Sequence, residues 1–145
     1  MKIRAINGNE LPKLLELYRH LKNEELPVNA ESTAVWENIL ANNNYHIIVA
    51  EEEEQIVSSC TLVVIPNLTH SHRPYALIEN VVTHLDFRGK GLATACLDFA
   101  VKLAESENCY KVMLLTGSKK ESTLNFYRRA GFNSDDKTAF IRWLK

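Results

Sequence analysis

Asn80-Val81-Val82-Thr83-His84-Leu85-Asp86-Phe87-Arg88-Gly89-Lys90-Gly91-Leu92-Ala93 is the stretch whose reading decides the fold. A β-branched run leads into a turn holding Arg88, Gly89, Lys90 and Gly91, and an amphipathic helix pattern opens at Leu92 and continues to about Asn108. Strand, glycine turn and helix N-terminus together make a place where phosphate binds. Glycines admit a ligand close to the backbone, and the first helical N–H groups have no intrahelical acceptor.

The pattern extends in both directions from this turn. Downstream, Leu92, Cys96, Phe99, Ala100 and Leu103 form an apolar stripe opposite Thr94, Asp98, Lys102 and Glu105, so the helix lies against a sheet. Lys111 to Thr116 reads as a central strand, and Lys120 to Ala130 as a helix ended by Gly131 at the C′ position. Thr138 to Leu144 is expected to be a final strand. Upstream, Tyr75 to Thr83 is the strand that feeds the turn, preceded by a Pro66 to Pro74 loop. Tyr45 to Ala50 and Gln55 to Ile65 form a hairpin with a solvated tip at Glu51 to Glu54. Ile3 to Ile6 is a strand, after which Asn9 is the expected cap of a helix carrying Leu11, Leu14, Leu15, Tyr18 and Leu21 on one side. Lys22 to Glu31 is a loop, and Ser32 or Thr33 caps a shorter helix to about Leu40. The order is β-α-α-β-β-β-α-β-α-β, an α/β (α+β) arrangement in a single domain, 1-145.

The composition narrows the function classes. With 145 residues, 46% hydrophobic and 24% charged, the chain can bury a substantial core. A formal charge of -1 supplies no global positive field, so no nucleic-acid partner is expected. No apolar run is long enough for a membrane span. Cys60, Cys96 and Cys109, an odd number without a C-x-x-C pair, read as core thiols in a reducing compartment, and a cytoplasmic location is expected. His70-x-His72 lacks a third ligand at a suggestive spacing, so no metal is expected.

Three phosphate patterns can be tested against the glycines. A P-loop needs G-x-x-x-x-G-K-[ST], and neither glycine has that register. A dinucleotide fingerprint needs G-x-G-x-x-G, but Thr94 stands in the third glycine's place and the turn comes late in the chain. The pattern [QR]-x-x-G-x-[GA] is met by Arg88, Gly91 and Ala93.

With this last pattern, and with Phe126-Tyr127-Arg128-Arg129-Ala130-Gly131-Phe132 downstream, the chain from Ile78 to Phe132 resembles the GCN5-related N-acetyltransferase (GNAT) superfamily. The resemblance implies a mixed, mostly antiparallel sheet whose fourth and fifth strands splay apart around acetyl-CoA. The implied pyrophosphate cradle is the backbone of Arg88, Gly89, Lys90, Gly91, Leu92, Ala93 and Thr94, with Arg88 or Lys90 adding charge at the rim. The pantetheine arm would pair with the backbone of Val82 and Thr83. Family members often carry valine at the Thr83 position, and a backbone contact should tolerate the change. Many also have asparagine seven residues before the tyrosine and alanine four before it, where this chain has Lys120 and Thr123, and Asn125 is not in that register. The Ile78 to Ala93 stretch and Cys109-Tyr110-Lys111 are also similar to glucosamine-phosphate acetyltransferases, although no placed basic residues for a sugar phosphate are found.

Acetyl transfer needs a neutral amine, a polarised thioester carbonyl and a proton for the departing thiolate. The resemblance implies that Tyr127 donates that proton and that Glu79 is the base, with His84 or water as alternatives. Strand alternation puts Glu79 and Asn80 on opposite faces, so only one of them would face the substrate. The expected activity is acetylation of a primary amine of a small molecule by direct attack in a ternary complex. Glu24, Glu25 and Glu31 are candidates for attracting a cationic amine. A protein amine as acceptor, a non-catalytic acyl-CoA-binding module and an interaction domain without ligand are the alternatives. Self-association as a homodimer is left open.

Overall fold

The computed structural model describes residues 1–145. Its strands are β1 (Lys2–Ala5), β2 (Tyr45–Glu52), β3 (Gln55–Ile65), β4 (Tyr75–Thr83) and β5 (Val112–Leu114). The longer helices are α1 (Leu11–Tyr18), α2 (Ala30–Ala41), α3 (Leu92–Ser106) and α4 (Glu121–Arg129). The strands form one sheet in the order β1-β2-β3-β4-β5. The first three pairings are antiparallel, and β4 with β5 is parallel because the crossover helix α3 separates them. The mixed, mostly antiparallel sheet expected from the sequence is present.

Alternation along β2 builds two cores on the two faces of this sheet. Ile47 and Val49 join Leu11, Leu14 and Leu17 of α1 and Trp36 of α2. Ile48 and Ala50 join Cys96, Leu97 and Ala100 of α3, together with Cys60, Leu62 and Ile78. Fully buried leucines such as Leu62 and Leu97 each contribute about 2 kcal/mol by leaving water. All three cysteines are free and buried. Burial raises the Cys60 and Cys109 thiols and pushes Cys96 up to about 11, so all three stay protonated.

The caps differ from expectation. Glu10, not Asn9, is the N-cap of α1, and it makes no side-chain cap bond because its carboxylate is already committed: it accepts from the Asn7 N–H at 2.8 Å and from both terminal nitrogens of Arg4 at 2.8 and 2.7 Å. Asn29 caps α2, accepting from the Ser32 N–H while the Ser32 hydroxyl accepts from the Asn29 N–H, both at 2.9 Å. Ser32 is therefore the return half of a capping box rather than the cap itself. In the Pro66 to Pro74 connection, His70, Ser71 and His72 have positive φ, and the His70 ring stacks on Tyr110 at 3.8 Å.

The expected strand over 138–144 is absent. The residues after α4 form no further helix or strand, and Phe140, Trp143 and Leu144 are left at 92%, 84% and 88% exposure. An apolar extended segment becomes a strand only against a partner edge, and within the chain β5 is paired on its β4 side alone. The last two elements of the chain are thinly covered: β5 is half-buried throughout and α4 has no buried residue. No helix is long and apolar enough to cross a membrane.

Candidate active site

The site is built around a divergence of strands. β4 pairs with β5 only from Ala76 to Ile78, and from Glu79 to Thr83 its β5-facing edge is unpaired. On the other side the His84 N–H donates to the Val57 carbonyl at 2.8 Å. In an antiparallel ladder that places the backbone groups of Val82 toward β3 and those of Thr83 toward the opening. The Val82 carbonyl also accepts from Ser58 Oγ at 3.0 Å. Of the two residues expected to offer backbone to a ligand, Thr83 is thus the one on the open edge. Its hydroxyl turns inward, 2.8 Å from Ser58 Oγ, which explains why threonine is accommodated here.

Beyond Thr83 the chain makes a short 3₁₀ turn, Leu85–Phe87, capped by His84 Nδ1 accepting from the Asp86 N–H at 3.1 Å. Gly89 and Gly91 follow with φ of 76° and 78°, and Gly91 is the N-cap of α3. A Cβ on either glycine would meet nothing within 4 Å, so it is backbone conformation and not internal crowding that calls for glycine. None of the N–H groups from Arg88 through Gly89, Lys90, Gly91, Leu92 and Ala93 to Thr94 finds an acceptor within the chain. A row of free donors at the positive end of a helix dipole is a site for an anion. The side chains play smaller parts. Arg88 Nε donates to the Thr83 carbonyl at 3.2 Å, Lys90 Nζ sits 4.8 Å from the centre of the Phe87 ring, and Leu92 is buried as the anchor of the helix start.

A bulge interrupts β4 where the strands part. Thr61 pairs with Glu79 and Ser59 with Val82, so Cys60 faces both Asn80 and Val81. Asn80 takes up φ of 52°, a conformation asparagine tolerates better than most residues. The alternation that allowed only one of Glu79 and Asn80 to face a substrate therefore fails. Glu79 is exposed and shares a face with its partner Thr61, toward α1, while Asn80 lines a cavity between α1 and α2 on that same side. His84 is half-buried, its ring 4.1 Å from that of His20. Desolvation, followed by the neighbouring His84 and Arg88, lowers the His20 pKa.

On the opposite face, α4 carries Tyr127 and ends in a Schellman motif. Gly131 has φ of 96°, its N–H donates to the Arg128 carbonyl at 3.0 Å, and the Phe132 N–H donates to the Tyr127 carbonyl at 3.1 Å. Phe126 and Tyr127 meet edge to face at 5.0 Å and pack on the α3-side core. Burial, then the nearby Cys60, raises the Tyr127 pKa, so its hydroxyl is a donor across the neutral range. Thr123 accepts from Ser118 Oγ at 3.2 Å, and Asn125 accepts from Arg128 at 2.9 Å, so both are engaged internally.

Two residues at the bulge were not singled out as functional from the sequence. Tyr18 reads as one member of the α1 apolar stripe, yet its hydroxyl lies beside Thr61 and Asn80, and burial raises its pKa. Thr61 Oγ1 is buried without a partner. The available signal was the hydroxyl itself, since a buried tyrosine ordinarily finds a partner for it.

The comparisons with known proteins agree with this geometry. The sequence profile described as the Acetyltransferase (GNAT) family matches residues 11–132. A glucosamine 6-phosphate N-acetyltransferase of Trypanosoma brucei brucei is 30% identical over 139 residues, 94% of this chain and 92% of that protein. Among solved structures, a putative acetyltransferase from Agrobacterium tumefaciens is 40% identical with a TM-score of 0.91, covering 99% of this chain and 100% of the other. A glucosamine-6-phosphate N-acetyltransferase from Arabidopsis thaliana is 25% identical with a TM-score of 0.86, covering 99% and 98%. With strands that part at a bulge, a glycine turn of free amides and a sequence profile matched over most of its length, this chain belongs to the GNAT family of acetyltransferases.

Proposed function

We propose that the chain transfers the acetyl group of acetyl-CoA to the primary amine of a small molecule by direct attack in a ternary complex. The observation that carries this reading is the unbroken row of free amides from Arg88 to Thr94, lying next to the open edge of β4. The cradle receives the pyrophosphate, and the Thr83 backbone, with Val82 behind it, receives the amide-bearing pantetheine arm. The cradle residues need no metal to bind the phosphates, because backbone donors and the helix dipole supply the positive potential.

The amine nitrogen attacks the thioester carbonyl carbon, a C–N bond forms, and the C–S bond breaks with its electron pair leaving on sulfur. Tyr127 donates its proton to that sulfur, a role supported by its raised pKa. Glu79 takes the proton lost by the amine, directly or through water; it is exposed and on the α1 side of the bulge. His84 suits the base role less, since its Nδ1 is occupied in capping the 3₁₀ turn.

The chain also forms a homodimer in this reading. The tail after α4 exposes Phe140, Ile141, Trp143 and Leu144, and the same chain has a strand β5 with a free edge and a helix α4 without a buried residue. The same tail from a second copy would cover that edge. The protonated buried thiols fit a reducing, cytoplasmic location.

Calorimetry with acetyl-CoA, followed by CoA-release assays over a panel of amines, tests the proposal. Saturable binding and amine-dependent release support it, binding without release on any amine favours a sensing module, and no binding at millimolar concentration removes both readings.

A further inference from the structure

The cavity between α1 and α2 differs chemically from what a sugar phosphate needs. It has a volume of about 460 Å³, within the range of small-ligand sites, and it reaches inward to Asn80 at the bulge of β4. Its walls are apolar, with Leu11, Leu14, Leu15, Val35, Trp36 and Ile39 among the lining residues. The polar groups on those walls are largely spent. The Trp36 indole N–H donates to the Gly8 carbonyl at 2.8 Å, so the residue offers the cavity its ring and not its donor. Asn29 and Ser32 are tied to each other in the capping box. Polar atoms remain at the inner end, where Tyr18 and Asn80 line the cavity and the unpartnered Thr61 hydroxyl lies beside Tyr18.

No lysine, arginine or histidine lines this space, and its one charged residue is the carboxylate Glu31, which is exposed. A phosphate dianion entering it would lose its hydration shell with no cation opposite, and would meet a like charge. An aromatic or branched aliphatic body, by contrast, would replace water on apolar walls at about 25 cal/mol per Å². The Tyr18 hydroxyl and Asn80 would receive an amine there, on the same face as Glu79.

We infer that the acceptor of this enzyme is a primary amine on an apolar body bearing no anionic group, bound with that body between α1 and α2 and its nitrogen at the Asn80 bulge. The inference rests on the acetyl-transfer reading above and narrows its acceptor. It separates this chain from the glucosamine-phosphate acetyltransferases that it resembles in sequence, since the cavity lacks the cations that a phosphate requires.

The test compares 2-phenylethylamine, glucosamine and glucosamine 6-phosphate as acceptors at saturating acetyl-CoA, with acetyl-CoA affinity measured separately by calorimetry. The expected result is a kcat/KM for 2-phenylethylamine at least about tenfold above that for either sugar, the gap set by apolar contact and by the missing phosphate partner. Val35→Asp, at an exposed position on the cavity wall, should raise KM for 2-phenylethylamine by about tenfold and leave acetyl-CoA affinity unchanged. Glucosamine 6-phosphate preferred with acetyl-CoA binding intact overturns the acceptor assignment and leaves the transferase reading standing. So does an unchanged KM in a folded Val35→Asp protein. Acetyl-CoA bound but no amine acetylated also overturns it, whereas absence of acetyl-CoA binding overturns the transferase reading from which it is drawn.

Discussion

Tyr18 of α1 and Tyr127 of α4 stand on opposite faces of the sheet, and each lies within electrostatic reach of Cys60, the residue of β3 that faces the bulge in β4. One belongs to the α1-side core and the other to the α3-side core. The strands part between them, so one hydroxyl is available to each side of the opening, and the two can be told apart by their effects.

Tyr127→Phe should lower kcat by about 10²-fold while leaving acetyl-CoA affinity within about twofold, because only the proton donor is removed. Tyr18→Phe should act mainly on the acceptor KM. Steady-state kinetics on both variants, with calorimetry on each, separates the roles. Unchanged turnover in Tyr127→Phe would eliminate the acid assignment.

Gly91→Val should weaken acetyl-CoA binding by more than about tenfold. The new Cβ meets no protein atom within 4 Å, so the main cost to the free protein is the φ of 78°, about 1–2 kcal/mol for a β-branched residue in the left-handed region. Loss of affinity well beyond that of stability, read by calorimetry and by thermal melting, assigns the space beside Gly91 to the pyrophosphate. An affinity equal to wild type would put the cradle elsewhere.

Glu10 makes stability depend on acid. The Arg4 guanidinium beside it, helped by the Asn7 N–H, holds its carboxyl down at about 2 against an ordinary 4.5. A folded-state pKa below the unfolded one stabilises the fold above pH 4.5, and that contribution is lost as pH falls from about 4.5 toward 2. Urea midpoints of wild type should fall through this window more steeply than those of Glu10→Gln, which should be less stable at neutral pH. Parallel curves would mean that Glu10 is not linked to folding.

The tail can be tested by mass. Light scattering coupled to size exclusion should give a dimer for the wild-type chain, and a smaller species when Trp143 and Leu144 are both replaced by aspartate. A monomeric wild-type protein would remove the homodimer reading.

The legible and illegible parts of this molecule differ for physical reasons. β3, β4 and the start of α3 fall where hydrophobic periodicity and the glycine turn put them, because Gln55–Ile65, Tyr75–Thr83 and Leu92 belong to long patterned segments with strong stops. Gly131 at the end of α4 was equally plain, since a left-handed C′ residue favours glycine. The caps of α1 and α2 were misassigned because the choice lies among neighbouring polar residues and is decided by tertiary partners such as Arg4. The bulge at Asn80 has no local signature, since the asparagine could equally have sat in a regular strand. The tail from Thr138 onward carries a strand's apolar character but finds no edge within its own chain. The phosphate end of the candidate site was therefore readable from the sequence, while its acceptor end, assembled from Tyr18, Thr61, Asn80 and two helices, was not.

The buried cysteines have a practical corollary. Each turnover proposed here liberates a free thiol on CoA, and thiol-reactive reagents attack thiolates that are exposed. With Cys60, Cys96 and Cys109 all buried and held protonated, the folded enzyme contributes little background to such a reagent. Acceptors can then be screened in real time by colour against a quiet protein, and a slow rise without added amine would instead report unfolding or hydrolysis of the donor.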